Sequence, residues 1–526
     1  MFLFTFILMC NSPFLIAQKM KTYNIVLDFG ASPDNKTDNY AAFTKAAAVI
    51  SQAGSGILVI PKGNYYIAAY KIIGGDKKNN VTDIIFRNCK GLIIQGNNSM
   101  VRVNGNFRRN RDYKLDGQPF NYAYNNTVCP FKFVNCKDVQ IKNIELYGEA
   151  DKMKKQERVV EGENYGIFFS DDEPGDTSSR IVMENITAHH FATDGMGIRS
   201  SGENIIINKC YSYKNARQGL SIVKGRNIKI LHSEFDSTGV TGTYGRHQPA
   251  AGIDIENEFG KGKLSNVFIQ NCSMKGNTGF QIVTTLPSEN IIIDSCFISD
   301  STSGYSEGMN GVGMYSLNST LSNSIIFATI QVDIADQIYR GKIVQEYRKN
   351  IIYSGHRGIV SADFSRPVNV IGNLFIMLPH PQLNTYFPYF QNNNGRFNEN
   401  IIVVHADIIK KTPNQVTALA QGAIEAINNF WLVNGYDIPK SQRRKNYFYM
   451  ALTETKNFKN QFTPENDKMD ALDFPQRKKL TDAQVDKILT NPVFSAYKQT
   501  FFNKTLLIQA DIVRKYTDSI VAKVKD

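Results

Sequence analysis

The chain has 526 residues, 42% of them hydrophobic, which is enough for a large buried core in several domains or in one elongated repeat domain. Its net charge of +12 and pI of about 9.1 disfavour a basic partner and favour an acidic one. Nucleic acid, an anionic membrane and an anionic polysaccharide all fit, and charge does not choose among them.

The first eighteen residues, MFLFTFILMCNSPFLIAQ, are apolar and too short to span a bilayer, and they end in Ala17 and Gln18. They predict a signal peptide over residues 1–18 and a secreted or periplasmic location. Six cysteines follow this segment. Exported chains usually pair cysteines in disulfides, but the positions of these residues in the repeats favour buried free thiols.

The stretch from Asp28 to Ile67, DFGASPDNKTDNYAAFTKAAAVISQAGSGILVIPKGNYYI, predicts a strand, a polar turn and an amphipathic alanine-rich helix. Such a helix is expected to cap a solenoid, because an uncapped first coil exposes core and strand edges. The DFGA, the TD before the helix and the closing IPKGNYYI closely resemble the opening of the pectate lyase-like superfamily. The resemblance implies an all-β, right-handed parallel β-helix that acts on polysaccharides. Members include lyases, hydrolases, uronate epimerases and non-catalytic phage spikes, so fold does not settle function.

Within the coils the sequence lacks the Gly-His-Gly and Arg-x-Lys motifs of polygalacturonase-type hydrolases, which disfavours that branch. The only Asp-Asp pair, Asp171 and Asp172, runs into Glu-Pro, and we expect an exposed turn there rather than a calcium site. The adjacent His189 and His190 have no further partners at metal-ligand spacing, so one of them is expected to pack or to cap a turn.

Two kinds of short alternating segment repeat along the chain. One begins with Asn and has a small residue six positions later; it starts at Asn204, Asn227, Asn266, Asn290 and Asn323. The other begins with Gly, at Gly166, Gly195, Gly219, Gly252, Gly279 and Gly311. The shortest spacings, 23 and 24 residues, are those of β-solenoid coils. They predict a parallel β-helix over residues 19–400, with ladders of asparagines and of small buried residues that include Cys210, Cys272 and Cys296.

After about residue 375 the repeat fades, and the end of the chain has helical periodicity with a capping box, TDAQ, at Thr481. We expect residues 401–526 to form a mixed to helical extension that packs on the solenoid.

Alignment of the Gly-led strands predicts one inward residue in each coil: Ile167, Met196, Leu220, Ile253, Phe280 and Val312. The next residue then faces outward: Phe168, Gly197, Ser221, Asp254, Gln281 and Gly313. Arg199 and Glu256 are predicted on the same outer face, with Asp194 and Arg217 at turns that enter the strands and Lys224 at an exit.

Two insertions are expected to form the walls of a substrate groove. The glycine-rich loop from Asp236 carries Tyr244, Arg246 and His247, and the segment 97–128 carries Arg108, Arg109 and Tyr113. Arginines pair with carboxylates or sulfates, and aromatic side chains stack on sugar rings. A solvated basic loop is the alternative for residues 97–128.

These residues favour a secreted lyase that cleaves a uronic-acid-containing polysaccharide, of the pectin, alginate or glycosaminoglycan type, by β-elimination. Arg199 and Arg217 would neutralise the uronate, His247 would be the base, and Tyr244 the acid or the alternative base. Asp254 and Glu256 complete the predicted catalytic set and are possible calcium ligands. The predicted substrate-binding residues are Asp194, Lys224, Arg246, Arg108, Arg109 and Tyr113.

Two alternatives stay open. A glycoside hydrolase would use the carboxyl groups of Asp254, Glu256 and Asp194. A non-catalytic glycan-binding β-helix would need no chemistry at these positions, since an outward carboxylate on a solenoid strand is often only solvated. The expected partner is an anionic polysaccharide, with no nucleic acid and no membrane span, and the chain is expected to be a monomer.

Overall fold

The computed structural model describes residues 20–68, 83–103, 129–152, 165–239, 249–258, 260, 263–299, 311–328, 330–331, 345–354, 359–360, 368–377, 395–398, 400–405, 429–434, 447–451 and 477–479. These residues form one α-helix, α1 (Tyr40–Ala53), one short 3-10 helix (Ala150–Lys152) and 36 strands.

The strands of the first half are β1 (Thr22–Asn24), β2 (Asp34–Asp38), β3 (Gly56–Val59), β4 (Asn64–Ile67), β5 (Ile85–Arg87), β6 (Lys90–Val103), β7 (Phe131–Val134), β8 (Lys137–Tyr147), β9 (Ile167–Ser170), β10 (Ser179–His189), β11 (Asp194–Arg199), β12 (Glu203–Asn208), β13 (Tyr211–Tyr213), β14 (Gln218–Ile222), β15 (Gly225–Leu231), β16 (Glu234–Asp236), β17 (Ala251–Ile255) and β18 (Leu264–Gln270). They are followed by β19 (Ser273–Lys275), β20 (Ile282–Thr284), β21 (Glu289–Asp294), β22 (Phe297–Ser299), β23 (Val312–Met314), β24 (Thr320–Ser322), β25 (Ile325–Phe327), β26 (Ile330–Gln331), β27 (Gln345–Arg348), β28 (Ile351–Ser354), β29 (Ile359–Val360), β30 (Val368–Ile371), β31 (Leu374–Met377), β32 (Phe397–Asn398), β33 (Ile401–His405), β34 (Asn429–Asn434), β35 (Tyr447–Ala451) and β36 (Arg477–Lys479).

Each coil of the middle region contains three short strands, as β12, β13 and β14 illustrate. Every strand pairs in parallel with its equivalent in the next coil, so that β12 lies beside β15, β13 beside β16 and β14 beside β17. The equivalents of β14 form a ten-stranded sheet in the order β5, β7, β9, β11, β14, β17, β20, β23, β26 and β29. The predicted right-handed parallel β-helix is thereby confirmed.

The core consists of columns of aliphatic side chains that run from coil to coil. One column, with every side chain fully buried, contains Leu58, Ile94, Ile141, Met183, Ile207, Ile230, Ile269, Ile293 and Leu321. Alternation at period two in the sequence puts these residues on the inner face of each strand. Apolar burial along such columns supplies the main driving force for stacking the coils.

The asparagines that open the repeated segments have left-handed backbone conformations. Their φ angles lie between 50° and 63° at Asn204, Asn227, Asn266, Asn290 and Asn323. Asn tolerates this region better than other residues with a side chain, which explains its recurrence. Asn266 donates from Nδ2 to Oδ1 of Asn227, and Asn290 donates to Asn266, both at 3.1 Å, so the predicted asparagine ladder is confirmed in these coils.

The turn at the other end of these strands, which follows β12 in the coil of Asn204, holds small buried residues. All six cysteines of the described residues, among them Cys210, Cys272 and Cys296, are buried and free, as predicted. From the second coil after Cys296 onward, the same interior turn is lined by Asn350, Asn373 and Asn400. Oδ1 of Asn373 accepts hydrogen bonds from N and Nδ2 of Asn350, both at 3.0 Å, and its Nδ2 donates to Oδ1 of Asn400 at 3.1 Å.

Helix α1 caps the N-terminal end of the stack, as predicted. It buries Ala42, Phe43, Ala46, Ala47 and Ile50. The ring of Phe43 meets those of Tyr65 and Phe131 edge-on, with centroids 5.9 and 6.2 Å away. The helix ends at Gly54, whose φ of 72° gives the left-handed C-cap. The described part of the chain contains no helix long and apolar enough to cross a membrane.

Parallel pairing continues through β33 and β34, and the last two described pairings, β34 with β35 and β35 with β36, are antiparallel. The predicted helical segment after Thr481 and the signal peptide over residues 1–18 lie outside the described residues. The proposed boundary at residue 400 stays a prediction.

Candidate active site

Asp254 lies in the middle of β17, on the outer face of the ten-stranded sheet. Its neighbours in register are Ser221 on β14 and Val283 on β20, and Ser221 in turn pairs with Gly197 on β11. The side chain is nevertheless only 2% exposed. A carboxyl group in such a place loses most of its hydration, which disfavours the ionised form.

Burial raises the pKa of Asp254 well above its ordinary value, and the negative charges of Glu256, Asp194 and Glu258 raise it further. The guanidinium of Arg217 opposes this shift but is outweighed. Asp254 therefore holds its proton above the pH at which an ordinary carboxyl ionises. A buried acid with a raised pKa is the arrangement that general acid catalysis requires.

Gln218 connects Asp254 to the preceding coils. Its Nε2 donates a hydrogen bond to Oδ2 of Asp254, while its Oε1 is buried and accepts no hydrogen bond in the structure. Gln218 is the first residue of β14 and pairs in register with Asp194 on β11. The sequence analysis did not single out Gln218, because only the folded coil brings its side chain to the strand of Asp254.

Arg217 forms a two-pronged ion pair with Asp194. Its Nε donates to Oδ1 at 2.8 Å and its NH2 donates to Oδ2 at 2.6 Å, and Asp194 is completely buried. NH2 of Arg217 also donates to the hydroxyl of Tyr165 at 3.4 Å. The planar guanidinium of Arg217 is thus paired with a carboxylate of the protein itself. The predicted roles of Arg217 at a uronate and of Asp194 in substrate binding stay predictions.

Glu256 and Arg199 are both exposed. Glu256 follows the last residue of β17, and its N–H donates to the carbonyl of Ile222 at 3.0 Å, so the strand pairing continues to this residue. Arg199 ends β11 and pairs with Ser170 on β9. Lys224 is mostly buried, and its Nζ lies 3.6 Å from Oδ2 of Asp171. The carboxylate of Asp171 also accepts hydrogen bonds from the N–H and hydroxyl of Ser201.

Asp171 and Asp172, the first two residues of the acidic run, both form ion pairs. Asp172 lies 3.0 Å from NH2 of Arg87 and 3.6 Å from Nζ of Lys132. Although burial opposes it, the pKa of Asp172 is lowered by these cations and by the hydroxyl of Ser170. Asp172 and Glu173 are exposed, as predicted for a turn.

The predicted register of β20 against β17 is wrong by two residues. Ile282, not Phe280, is the inward residue that pairs with Ile253, and Val283, not Gln281, lies beside Asp254. Gln281 is buried because its side-chain amide accepts from the N–H of Asn277 and donates to the carbonyl of Asn277, which closes a turn before the strand. Phe280 is consequently partly exposed on the outer side.

Six of the predicted site residues lie outside the described residues: Tyr244, Arg246, His247, Arg108, Arg109 and Tyr113. Their roles stay predictions. For calcium, the described residues do not fit: none of their His, Cys, Asp and Glu side chains form a group of three or more that could hold a metal ion. Asp254 is also a poor ligand in its protonated form, because metal ions bind deprotonated carboxylates.

His189 and His190 lie away from this site, at the end of β10. The ring of His189 stacks between those of Tyr147 and Tyr213, with centroid distances of 4.8 and 4.7 Å, as expected for a packing role. Its Nε2 lies 3.1 Å from a carboxylate oxygen of Glu145, and its Nδ1 lies 2.6 Å from Nδ1 of His190. The network assigns the proton on Nε2 of His189 and a donating Nδ1–H on His190. His190 has a left-handed φ of 55° and occupies the turn.

Residues 23–244 match the family model described as rhamnogalacturonase A/epimerase, pectate lyase-like. The fold and this match define the class: the chain is a parallel β-helix whose first half resembles the rhamnogalacturonase A/epimerase family. This match covers the region that contains the N-terminal motifs and agrees with the resemblance to the pectate lyase-like superfamily that those motifs indicate.

Two curated relatives match part of the chain. The SPbeta prophage-derived uncharacterized protein YomE of Bacillus subtilis (strain 168) is 26% identical over 250 residues, which cover 48% of this chain and 32% of that protein. The capsule K1-specific depolymerase of Klebsiella phage K64-1 is 26% identical over 186 residues, which cover 33% of this chain and 18% of the phage protein. The matched regions therefore span a third or less of these relatives.

Among solved structures, the A-module of the mannuronan C-5 epimerase AlgE4 from Azotobacter vinelandii has a TM-score of 0.47 and 14% identity. The match covers 77% of this chain and 92% of the module.

Proposed function

We propose that the chain is an exported, monomeric enzyme that cleaves glycosidic bonds of an anionic polysaccharide, with Asp254 as the acid that protonates the leaving oxygen. The observation that carries this proposal is the burial of Asp254 among other carboxyl groups, which raises its pKa well above the ordinary value. The net charge of +12 favours an anionic polysaccharide.

The described carboxyl groups favour hydrolysis. Glu256 is exposed and follows Asp254 by two residues, which puts their β-carbons about 7 Å apart. Inverting glycosidases separate the two carboxyl groups by roughly 6.5–9.5 Å to admit a water molecule, and flexible side chains at this β-carbon spacing can reach that separation. In this proposal Asp254 donates its proton to the departing oxygen, and Glu256 removes a proton from the water that attacks the sugar. Asp194 holds the guanidinium of Arg217 in a fixed position beside the acid.

β-Elimination is the second candidate, and the exposed Arg199 favours it because an arginine can neutralise a uronate carboxylate. In that reaction His247 or Tyr244 would remove the proton next to the carboxylate. Asp254 would again protonate the leaving oxygen, so this assignment is common to both reactions.

The test is incubation of the purified protein with polygalacturonate, alginate and chondroitin sulfate, with two readouts. Reducing ends without ultraviolet absorbance of an unsaturated product indicate hydrolysis, and both signals together indicate β-elimination. Asp254→Asn should lower either rate by about 10²- to 10⁴-fold. Glu203→Gln, a change at a carboxyl group on the separate strand β12, is the matched control and should keep the wild-type rate. Activity of Asp254→Asn at the wild-type level would contradict the proposal.

A further inference from the structure

Two aromatic pairs lie on the ten-stranded sheet, one on each side of the strand that carries Asp254. Tyr165 and Phe168 belong to the coil of β9, and their rings stack in parallel with centroids 4.1 Å apart and an interplanar angle of 4°. Phe280 precedes β20 and Tyr315 follows β23; their rings are perpendicular, with centroids 6.4 Å apart. β17 lies between the two pairs in the order of the sheet.

Both pairs lie against a glycine in the sheet. A β-carbon added to Gly197 would come within 2.8 Å of the ring of Phe168 and 2.9 Å of that of Tyr165. One added to Gly313 would come within 3.2 Å of the rings of Phe280 and Tyr315. The missing side chains thus leave room for the rings to lie close to the sheet surface. Tyr165, Phe280 and Tyr315 are each partly exposed, while Phe168 is only 4% exposed and supports Tyr165 from below.

We propose that these pairs are sugar-stacking subsites on either side of Asp254, so that the polysaccharide lies along the solenoid axis and is cut internally rather than from one end. This inference rests on the proposed function. The negative face of an aromatic ring attracts the C–H groups of a sugar ring, and the aromatic area excludes water. From β9 to β23 the sheet crosses five strand intervals, or about 24 Å, a length that only a chain of several sugars fills.

The hydroxyl of Tyr165 accepts a hydrogen bond from Arg217, the residue that also holds Asp194. The pair of Tyr165 and Phe168 is therefore linked by a hydrogen bond to the charged residues around Asp254. A sugar stacked on Tyr165 places the next glycosidic bond along the chain toward Ser221 and Asp254.

The experiment compares the wild type with Tyr165→Ala and Phe280→Ala on polygalacturonate, alginate and chondroitin sulfate. For the polysaccharide that is cleaved, each variant should raise KM by about three- to tenfold with kcat nearly unchanged. Tyr165→Phe keeps the ring and should keep KM within about twofold of that of the wild type. Tyr211→Ala removes a partly exposed tyrosine from β13, in a different sheet, and is the matched control.

Internal cleavage is read from the same digests. The viscosity of the polysaccharide should fall early, while few reducing ends have formed. Release of only short products at constant viscosity, or an unchanged KM in both alanine variants, would overturn the inference while leaving the proposed cleavage intact.

If the wild type cleaves none of the three polysaccharides, the proposed function fails on these substrates. Retardation in gels that contain each polysaccharide then tests the subsites alone. Equal retardation of the wild type and both alanine variants, or none for any of them, counts against the inference.

Discussion

Arg217 and Asp194 form a bidentate ion pair across two adjacent coils, with donor–acceptor distances of 2.8 and 2.6 Å and with the carboxylate of Asp194 completely buried. The pair joins β14 to β11 at the edge of the candidate site. The two charges act on Asp254 in opposite directions: Arg217 lowers the pKa of Asp254, and Asp194 raises it.

Arg217→Met should destabilise the protein by about 3–5 kcal/mol, because it removes two charge-assisted hydrogen bonds from a buried carboxylate. Asp194→Asn added to this variant should restore much of the loss, since no charge is then left buried. Denaturant unfolding of both single variants and the double variant measures the coupling. Arg226→Met, which breaks the exposed pair of Arg226 with Glu203, is the control and should cost less than about 1 kcal/mol. Equal losses in Arg217→Met and Arg226→Met would contradict the prediction.

Asp254→Asn should stabilise the fold progressively as the pH rises. The folded-state pKa of Asp254 is raised, so the native state binds this proton more tightly than the unfolded chain does. The free energy of unfolding therefore falls as the pH rises from the ordinary value of 3.8 through the raised pKa, and asparagine removes this dependence. Melting temperatures of both proteins across this range test the prediction. Asp138→Asn is the control of opposite sign, because Arg180 lowers the pKa of Asp138. A constant difference between Asp254→Asn and the wild type at all pH values would argue against a protonated Asp254.

Asn373→Leu should cost more than about 3 kcal/mol, because it removes the acceptor of the buried N–H of Asn350, one acceptor of Asn350 Nδ2 and one donor to Oδ1 of Asn400. Asn290→Gly is the matched control, since it keeps the left-handed backbone and removes only an exposed amide contact. Urea unfolding of the two variants decides the comparison. A loss at Asn373 no larger than that at Asn290 would mean that the interior ladder contributes little.

His190→Asn should reduce the loss in the free energy of unfolding that the wild type shows as the pH falls from 6.5 toward 4. Burial and the charge of His189 lower the pKa of His190 from 6.5 to about 4, while Asp151 raises it and Lys214 lowers it. The unfolded chain thus binds a proton that the native state excludes, and stability is lost as the pH falls from 6.5 toward 4. Asparagine is neutral and tolerates the left-handed backbone. His232→Asn, at an exposed left-handed position, is the control. Identical slopes for His190→Asn and the wild type between these pH values would refute the prediction.

The sequence predicted the coils well, because each strand repeats the same local rule: alternation at period two, an asparagine at a left-handed turn and a small residue at the next corner. The adjacency of Gly197, Ser221 and Asp254 followed from that rule. The register of β20 did not follow from it, because the turn closed by Gln281 shifts the strand by two residues without changing its apolar pattern. Residues such as Gln218 and Tyr165 were missed for a different reason. Their contacts join separate coils, and nothing in the local sequence distinguishes them from ordinary strand ends.

The change from parallel to antiparallel pairing at β35 bears on association between copies of the chain. A parallel coil presents a strand edge that another coil of the same direction can extend. β35 runs against β34, and its other edge is paired with β36, which has only three residues, so the described strands do not end in a complete parallel coil that a second molecule could extend. The reversed strand would thereby hinder head-to-tail growth of β-helices into a fibre, and a protein built from many interchangeable coils would keep a defined length.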